Sequence, residues 1–257
     1  MIWTHRSTIL SLVCVVLLSS CRTQKEETAI VRIATAANMQ FAMEQLTTTF
    51  TKNTGVSCEV VVSSSGKLFA QIREGAPYDL FVSADLKYPN ELHKSKLTRS
   101  APKVYAYGQL ALWTMIDTLP LSLDQLTSNQ IKHIAIANPK TAPYGRAALE
   151  VLKRHTLDES VNDKLVYGES IAQTNQFITS GAAEVGFTSK SVVVSKDMKG
   201  KGKWVAINNN DYSPIKQGVV ILNNRNIKNP GVQKFYDFLF SEEGKNILQN
   251  FGYSVYE

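Results

Sequence analysis

The segment from Val61 to Asp85 constrains the fold more than any other part of the chain. Its sequence, VVSSSGKLFAQIREGAPYDLFVSAD, passes from the end of an apolar run through three serines and a glycine. Apolar residues then recur at helical spacing at Leu68 and Ile72, before a stop at Gly75. This order predicts a strand, a hydroxyl-rich turn and a helix whose first amides point back at the turn. Such a junction offers an anion several uncharged donors at the positive end of a helix dipole.

Short apolar runs alternate with helix-period segments along the rest of the chain. This alternation predicts an α/β fold of mostly parallel sheets flanked by helices. Two apolar runs, Leu110–Met115 and Gly218–Leu222, have no crossover helix in easy reach, and we interpret them as the places where the chain enters a second lobe and returns. Lobe one would then comprise residues 29–112 and 219–257, and lobe two residues 113–218. A chain of 257 residues is long enough for each lobe to bury a core.

The N-terminus has the pattern of an export signal that ends in lipidation. An apolar run, Ile9–Leu18, is too short to span a bilayer and is typical of a signal-peptide core. The following residues complete Leu18-Ser19-Ser20-Cys21, which looks like a lipobox. We therefore predict a lipoprotein signal peptide at 1–20, a lipidated Cys21 and a tether at 21–28, with the protein anchored to a membrane in the periplasm or at the cell surface. An ordinary secretory leader is the alternative.

Cysteine usage and charge narrow the class of protein further. After cleavage and lipidation Cys58 would be the remaining cysteine, so we predict no intrachain disulfide and interpret Cys58 as a small core residue. The formal net charge is +6, but lysines and arginines are scattered along the chain. The most lysine-dense stretch, 196–203, lacks the aromatic interleaving of a nucleic-acid stacking platform. We predict no nucleic-acid partner, while a mild positive charge suits an anionic ligand.

Five predicted helix starts share one chemistry, with small or hydroxyl-bearing residues directly after a strand. In open α/β sheets these points lie at the carboxyl ends of the strands, where ligands bind. N-capping explains any single one of them, because Ser and Asn are favoured caps. Five across two lobes favour a shared site, although the sequence does not show that they converge. They are Thr35–Asn38, Ser63–Gly66, Pro143–Gly145, Gly168–Ile171 and Phe187–Ser189.

Motifs for catalysis fit the chain poorly. Ser64 and Lys67 match Ser-x-x-Lys, but the companion Ser-Asp-Asn and Lys-Thr-Gly elements do not occur in the sequence. A phosphate-binding loop ending at Lys67 would need a glycine in place of Val61 and a hydroxyl residue in place of Leu68. The four histidines have no metal-ligand spacing. We predict no enzyme activity, no cofactor and no directly bound metal; the alternatives are a serine acyl-transfer enzyme that uses Ser64 and Lys67, and a lipid-anchored adhesin without a ligand.

Several short motifs occur in a fixed order along the chain, and together they are more specific than any one alone. They are Ala36-Ala37-Asn38, Ser64–Leu68 with Gln71-Ile72, Gly75–Asp85, Asn138-Pro139, Ala142–Ala147 and Gly181–Phe187. In this order they resemble the periplasmic molybdate-binding proteins, the substrate-binding components of ATP-driven (ABC) molybdate importers. The resemblance covers essentially everything after the tether. It implies a two-lobed, type II-like periplasmic binding protein that holds molybdate or tungstate in its interlobe cleft, acts as a monomer and delivers the anion to a membrane permease.

The same resemblance implies which residues contact the oxyanion. By position they are Asn38 and Ser65 in lobe one, and Tyr144, Ile171 and Ser189 in lobe two. Ser65 would donate its hydroxyl and its backbone amide, whereas Tyr144 and Ile171 would donate main-chain amides only. Some relatives have Ser in place of Asn38 and Tyr in place of Ser189. Here Asn38 is expected to donate through its side-chain amide and Ser189 through its hydroxyl.

The chemistry of these five positions favours a fully deprotonated anion. Molybdate carries no proton at neutral pH, so its site should offer donors only. Phosphate keeps a proton near pH 7, and without a carboxylate to accept it the lost hydrogen bond costs about 1–3 kcal/mol. None of the five positions is acidic, and we interpret Asp79 and Asp85 as structural. Sulfate also lacks a proton, so a carrier for sulfate or another oxyanion is the alternative function.

Overall fold

The structure is a computed structural model that describes residues 30–223 and 229–255. The predicted signal peptide, Cys21 and the tether lie outside the described residues. Ten strands in the described part form two five-stranded sheets. They are β1 (Val31–Ala36), β2 (Cys58–Ser63), β3 (Leu80–Val82), β4 (Lys103–Gly108), β5 (Leu110–Thr114), β6 (Ile134–Ala137), β7 (Leu165–Gly168), β8 (Val185–Ser189), β9 (Lys203–Ala206) and β10 (Ile215–Ile221).

Each sheet combines a parallel half with an antiparallel half. The first sheet has the order β2-β1-β3-β10-β4 and the second the order β7-β6-β8-β5-β9. β1 and β6 pair in parallel with both of their neighbours. β10 and β5 pair antiparallel with both of theirs. In each sheet four of the five strands therefore run in the same direction, as the alternation predicted, while β10 and β5, each of which follows a lobe crossing, run in the opposite direction.

Eight helices in the described part flank these sheets. They are α1 (Gln40–Thr54), α2 (Ser65–Arg73), α3 (Lys87–Lys94), α4 (Pro143–Arg154), α5 (Ile171–Thr179), α6 (Lys190–Val193), α7 (Pro230–Leu239) and α8 (Glu242–Asn250). The start of α1 is preceded by a 3-10 turn, Ala37–Met39, and its end is capped by Gly55 in the left-handed conformation (φ 72°). Among the described residues, no helix has the length and apolar character needed to cross a bilayer.

The chain crosses between the lobes a few residues before the predicted boundaries. β4 ends at Gly108 in the first sheet, and β5 begins at Leu110 in the second. The return lies between Ala206, the end of β9, and Ile215, the start of β10. All residues of β5 are buried, so its apolar character reflects a strand inside lobe two and does not mark the crossing itself. Residues 110–112 thus lie in the second sheet and 215–218 in the first.

Each lobe has its own apolar core. In lobe one, apolar residues pack on both faces of the first sheet, and Phe235 of the C-terminal helix α7 packs edge to face on Phe50 of α1, with ring centroids 5.1 Å apart. The partly buried Cys58 packs against this core, and burial raises the pKa of its thiol to about 11. In lobe two the core extends to Ala37 and Ala84 of lobe one, so the two lobes are in direct contact.

Candidate binding site

A small cavity lies where the two lobes meet. Its volume is only about 10 Å³, and none of the described residues that line it carries a carboxylate. Four of the five predicted site residues line this cavity: Asn38 and Ser65 from lobe one, Tyr144 and Ile171 from lobe two. The remaining lining residues are Ala36, Ala37, Ser64, Ala84, Ala142 and Pro143.

The first turn of α2 leaves one backbone amide for the cavity. Ser64 is the N-cap, and its hydroxyl accepts the amide of Lys67 at 3.4 Å. The amide of Gly66 donates to the carbonyl of Thr141 in lobe two at 2.9 Å. The amide of Ser65 has no acceptor among the described residues. The first turn of a helix cannot satisfy its own amides, so this amide remains for a ligand.

The Ser65 side chain also has a donor to offer. Its hydroxyl oxygen accepts the amide of Ala84 at 3.0 Å, and Ser65 is fully buried. A hydroxyl has one hydrogen to donate and two lone pairs. Since the oxygen is held as an acceptor, its hydrogen can be directed at a ligand oxygen in the cavity.

In the first turn of α4, too, a single backbone amide is left for the cavity. Pro143 has no N–H, and the amides of Gly145 and Arg146 both donate to the carbonyl of Ala142, at 3.1 and 3.2 Å. The amide of Tyr144 is left without an acceptor among the described residues, and Tyr144 lines the cavity. Proline at the first helical position is favourable because its missing donor would be unsatisfied anyway.

The first turn of α5 and the 3-10 turn after β1 complete the set. Ser170 caps α5 by accepting the amide of Gln173 at 3.5 Å, and the amide of Ile171 has no acceptor in the described part of the chain. The amide of Asn38 also lacks one. Amides from four helix or turn starts, two in each lobe, therefore border one carboxylate-free space. Such amides favour an anion through their hydrogen bonds and through the dipoles of their helices.

The Asn38 side chain donates its hydrogen bonds within the protein, whereas the sequence prediction has it donate to the anion. Its amide nitrogen donates both hydrogens within the protein, to Gln217 Oε1 and to the Tyr253 hydroxyl, each at 2.9 Å. No side-chain hydrogen is left for an anion in this arrangement. The donor that Asn38 presents to the cavity is its main-chain amide, which the surrounding polar network holds in place.

Ser189 is the predicted site residue that does not line the cavity. It is fully buried at the end of β8, beside Leu110, and its hydroxyl lies 2.7 Å from Ser191 Oγ. Ser191 Oγ donates to the Asn38 carbonyl at 2.7 Å, so the hydrogen between the two serines comes from Ser189. The Ser189 hydroxyl thus supports the Asn38 turn from behind and is not directed into the cavity.

A buried polar network that is not among the sequence-based predictions lies behind the cavity. Gln217 contacts Asn38, Tyr105 and Tyr144, while the Tyr253 hydroxyl contacts both the side-chain amide and the carbonyl of Asn38. Burial raises the pKa of each of these three tyrosines, so their hydroxyls stay neutral and able to donate. One sequence signal could have indicated this network. Gln217 directly precedes the apolar run of β10, and a glutamine buried in a strand needs hydrogen-bond partners.

Two ion pairs connect the lobes around the cavity. Asp85 pairs with Arg146, and the Lys67 ammonium lies 2.6 Å from the Glu169 carboxylate. Burial raises the pKa of Asp85, and Arg146 opposes that shift. Both carboxylates are thus engaged by cations of the opposite lobe, as expected if Asp85 is structural. Within residues 30–223 and 229–255, no group of three or more His, Cys, Asp or Glu side chains could hold a metal ion.

These features define the class of protein. Two α/β lobes joined by crossing strands, with helix N-termini from both lobes around a shared cleft, form the fold of the periplasmic binding proteins. The family described as bacterial extracellular solute-binding protein matches residues 31–254. The chain belongs to this family.

The chain is also similar to individual proteins over most of its length. The chain is 36% identical to the molybdate-binding protein ModA of Azotobacter vinelandii over 243 residues, which cover 93% of this chain and 94% of that protein. It is 33% identical to the molybdate-binding protein ModA of Rhodobacter capsulatus over 221 residues, covering 86% of each chain. The structure of an Azotobacter vinelandii periplasmic molybdate-binding protein superposes with a TM-score of 0.83 at 31% identity, covering 88% of this chain and 100% of that one.

Proposed function

We propose that this chain is the substrate-binding component of an ATP-driven (ABC) importer, and that it captures molybdate outside the cytoplasm and delivers it to a membrane permease. The observation that carries the proposal is the carboxylate-free cavity between the lobes, bordered by amides that the protein does not use. Relatives that share 33–36% of its sequence are named molybdate-binding proteins. We assign the anion contacts to the amides of Asn38, Ser65, Tyr144 and Ile171 and to the Ser65 hydroxyl.

The donor set favours a proton-free dianion over phosphate. Every oxygen of molybdate accepts hydrogen bonds, and the lining residues supply donors. Asp85 and Glu169 each lie within two residues of a lining residue in the sequence, but they are held by Arg146 and Lys67 and do not line the cavity, so they are not placed to accept a phosphate proton. Uncharged donors bind a dianion through charge-assisted hydrogen bonds that are about twice as strong as neutral ones. They also leave no fixed positive charge that would hinder release to the permease.

Sulfate is the second candidate ligand, because it has the same charge and also lacks a proton. Isothermal titration calorimetry with molybdate, tungstate, sulfate and phosphate tests the assignment. We expect molybdate and tungstate to bind, sulfate to bind more weakly because its shorter bonds leave donors out of reach, and phosphate to give no heat. Tighter binding of sulfate than of molybdate would reassign the protein to sulfate, and binding of phosphate would contradict the proposed donor-only site.

We propose that the chain has neither a catalytic activity nor a cofactor. The Ser64 hydroxyl accepts the backbone amide of Lys67 as a helix cap, and the Lys67 ammonium pairs with Glu169 across the cleft. Lys67 is therefore not placed to remove a proton from Ser64, as a serine acyl-transfer enzyme would require. Both residues have structural roles that account for their positions.

The arrangement of the donors explains how capture and delivery are linked. Three of the five proposed donors lie on lobe one and two on lobe two, so an anion is fully coordinated only when the lobes are together. Binding and closure then depend on each other, as in hinge-type domain closure. A permease that draws the lobes apart would leave the anion with the donors of one lobe only and so release it. The site is complete within one chain, and we propose that the protein acts as a monomer.

We propose that lipidation of Cys21 anchors the protein to a membrane in the periplasm or at the cell surface. The Cys21→Ala variant is expected to move from the membrane fraction to the soluble extracytoplasmic fraction when cells are fractionated, because the acyl chains provide the anchor. Cys58→Ala is the matched control and should stay with the membrane. A wild-type protein found wholly in the soluble fraction would instead indicate an ordinary secretory leader.

A further inference from the structure

Gln217 is a buried polar side chain of lobe one that connects the two halves of the proposed site. It is 0% exposed and lies on β10, where the register with β4 shifts between Gln217 and Gly218. Its Oε1 accepts Asn38 Nδ2 at 2.9 Å and the Tyr105 hydroxyl at 2.8 Å, both within lobe one. Its Nε2 donates to the Tyr144 hydroxyl of lobe two at 3.3 Å. A buried amide is stable only with such partners.

The opposite ends of Tyr144 serve different purposes. Its main-chain amide borders the cavity, whereas its hydroxyl accepts from Gln217 behind the cavity wall. The side chains of Tyr144 and Gln217 meet beside Gly108, which leaves room for them because it has no Cβ. A Cβ at this position would overlap the Tyr144 hydroxyl and lie 2.7 Å from Gln217 Nε2. The link between the lobes therefore depends on a position that admits no side chain.

Asn38 is held in the same network from both lobes. Gln217 and Tyr253 of lobe one take its side-chain hydrogens, and Ser191 of lobe two donates to its carbonyl at 2.7 Å. The direction of the Asn38 main-chain amide is thus set by contacts that form fully only when the lobes are together. Linked buried hydrogen bonds of this kind strengthen one another.

We propose that Gln217 is a positioning residue that couples anion capture to lobe closure, by holding the Asn38 turn of lobe one and the Tyr144 turn of lobe two so that their amides face one anion. This inference rests on the proposed function. Gln217 does not contact the anion; it raises the fraction of molecules in the closed form that binds. Apparent affinity falls in proportion to that fraction.

Two variants and their combination test this coupling. Tyr144→Phe keeps the main-chain amide and removes the hydroxyl that Gln217 reaches, while Gln217→Met keeps the volume and removes both polar atoms. We expect each to weaken molybdate binding by about three- to tenfold in calorimetry, and the double variant to be no weaker than Gln217→Met, because both remove the same link. The matched control is Tyr78→Phe, which removes a tyrosine–glutamine hydrogen bond to Gln71 within lobe one.

Small-angle X-ray scattering supplies a readout that a purely structural role would not move. The ligand-free variants should be more extended than the wild type, and saturating molybdate should restore the compact form, with the molybdate-to-sulfate affinity ratio unchanged. Wild-type affinity in Tyr144→Phe, additive losses in the double variant, or an altered affinity ratio would overturn the role of Gln217 and leave the proposed function standing. If the wild-type chain bound no oxyanion, the proposed function would fail and this inference with it.

Discussion

Replacing Gly66 with alanine is expected to lower the affinity for molybdate about 100-fold while lobe one stays folded. A Cβ at residue 66 would lie 2.7 Å from the Tyr88 hydroxyl and 2.9 Å from the Thr141 Cα. The tyrosine hydroxyl is the end of a side chain and can shift. The Thr141 backbone belongs to lobe two and can retreat only with its lobe, so the added methyl group holds the cleft open. The binding-competent fraction falls, and the apparent affinity falls with it.

The ligand-free variant should be as stable as the wild type or more so. Gly66 lies in the first turn of α2, where alanine is favoured over glycine by up to about 1 kcal/mol. Thermal unfolding without ligand therefore distinguishes a closure defect from a folding defect. Calorimetry then measures the loss of affinity, and scattering with saturating molybdate should show a cleft that no longer closes fully.

Lys67→Ala is the matched control on the same helical turn. It removes the ion pair between Lys67 and Glu169. Both of these side chains are about half exposed, and exposed ion pairs contribute only about 0.2–1 kcal/mol to stability. We expect a loss of affinity below about fivefold for this variant. Equal losses of affinity in Lys67→Ala and Gly66→Ala would contradict a steric effect. Wild-type affinity in Gly66→Ala would mean that Thr141 lies farther from residue 66 in the molybdate-bound form.

Local sequence patterns predicted most of the elements that build the site. The serine turn and the helix capped by Ser170 lie where hydroxyl residues follow apolar runs, and α4 begins at Pro143, because helix starts and strand burial are decided within a few residues. The side chain of Asp85 was interpreted as structural, and the structure pairs it with Arg146. The starts of the helices depend on short-range chemistry that a sequence displays directly, whereas the partner of Asp85 lies 61 residues away in the opposite lobe.

What the sequence could not display depends on contacts between distant segments. The side chains of Asn38 and Ser189 carry free donors when each residue is considered alone. In the folded chain Asn38 meets Gln217 and Tyr253, which are 179 and 215 residues away, and its hydrogens are consumed there. The reversed directions of β5 and β10 have the same origin, since each of these strands follows a lobe crossing. Local sequence patterns show that a side chain can donate a hydrogen bond, and the fold determines which acceptor it meets.

The second large effect is expected at Ser65, where alanine should weaken molybdate binding at least tenfold without unfolding the protein. The substitution removes a hydroxyl whose hydrogen is available to the anion, and a hydrogen bond to a charged group contributes about 1.5–3 kcal/mol. Because 1.4 kcal/mol corresponds to a factor of ten, the expected loss is tenfold or more. The amide of Ala84 also loses its acceptor, which adds to the loss of affinity by loosening the cavity wall.

Ser64→Ala is the neighbouring variant that separates anion binding from helix capping. Ser64 also lines the cavity, but its hydroxyl accepts the Lys67 amide and caps α2. Loss of a cap costs about 0.5–2 kcal/mol of stability, so Ser64→Ala should lower the unfolding temperature more than the affinity. Ser65→Ala should show the opposite balance, which calorimetry and thermal unfolding on the same preparations will measure. If Ser65→Ala binds molybdate like the wild type, then the Ser65 hydroxyl is not a ligand and the anion is held by the main-chain amides alone.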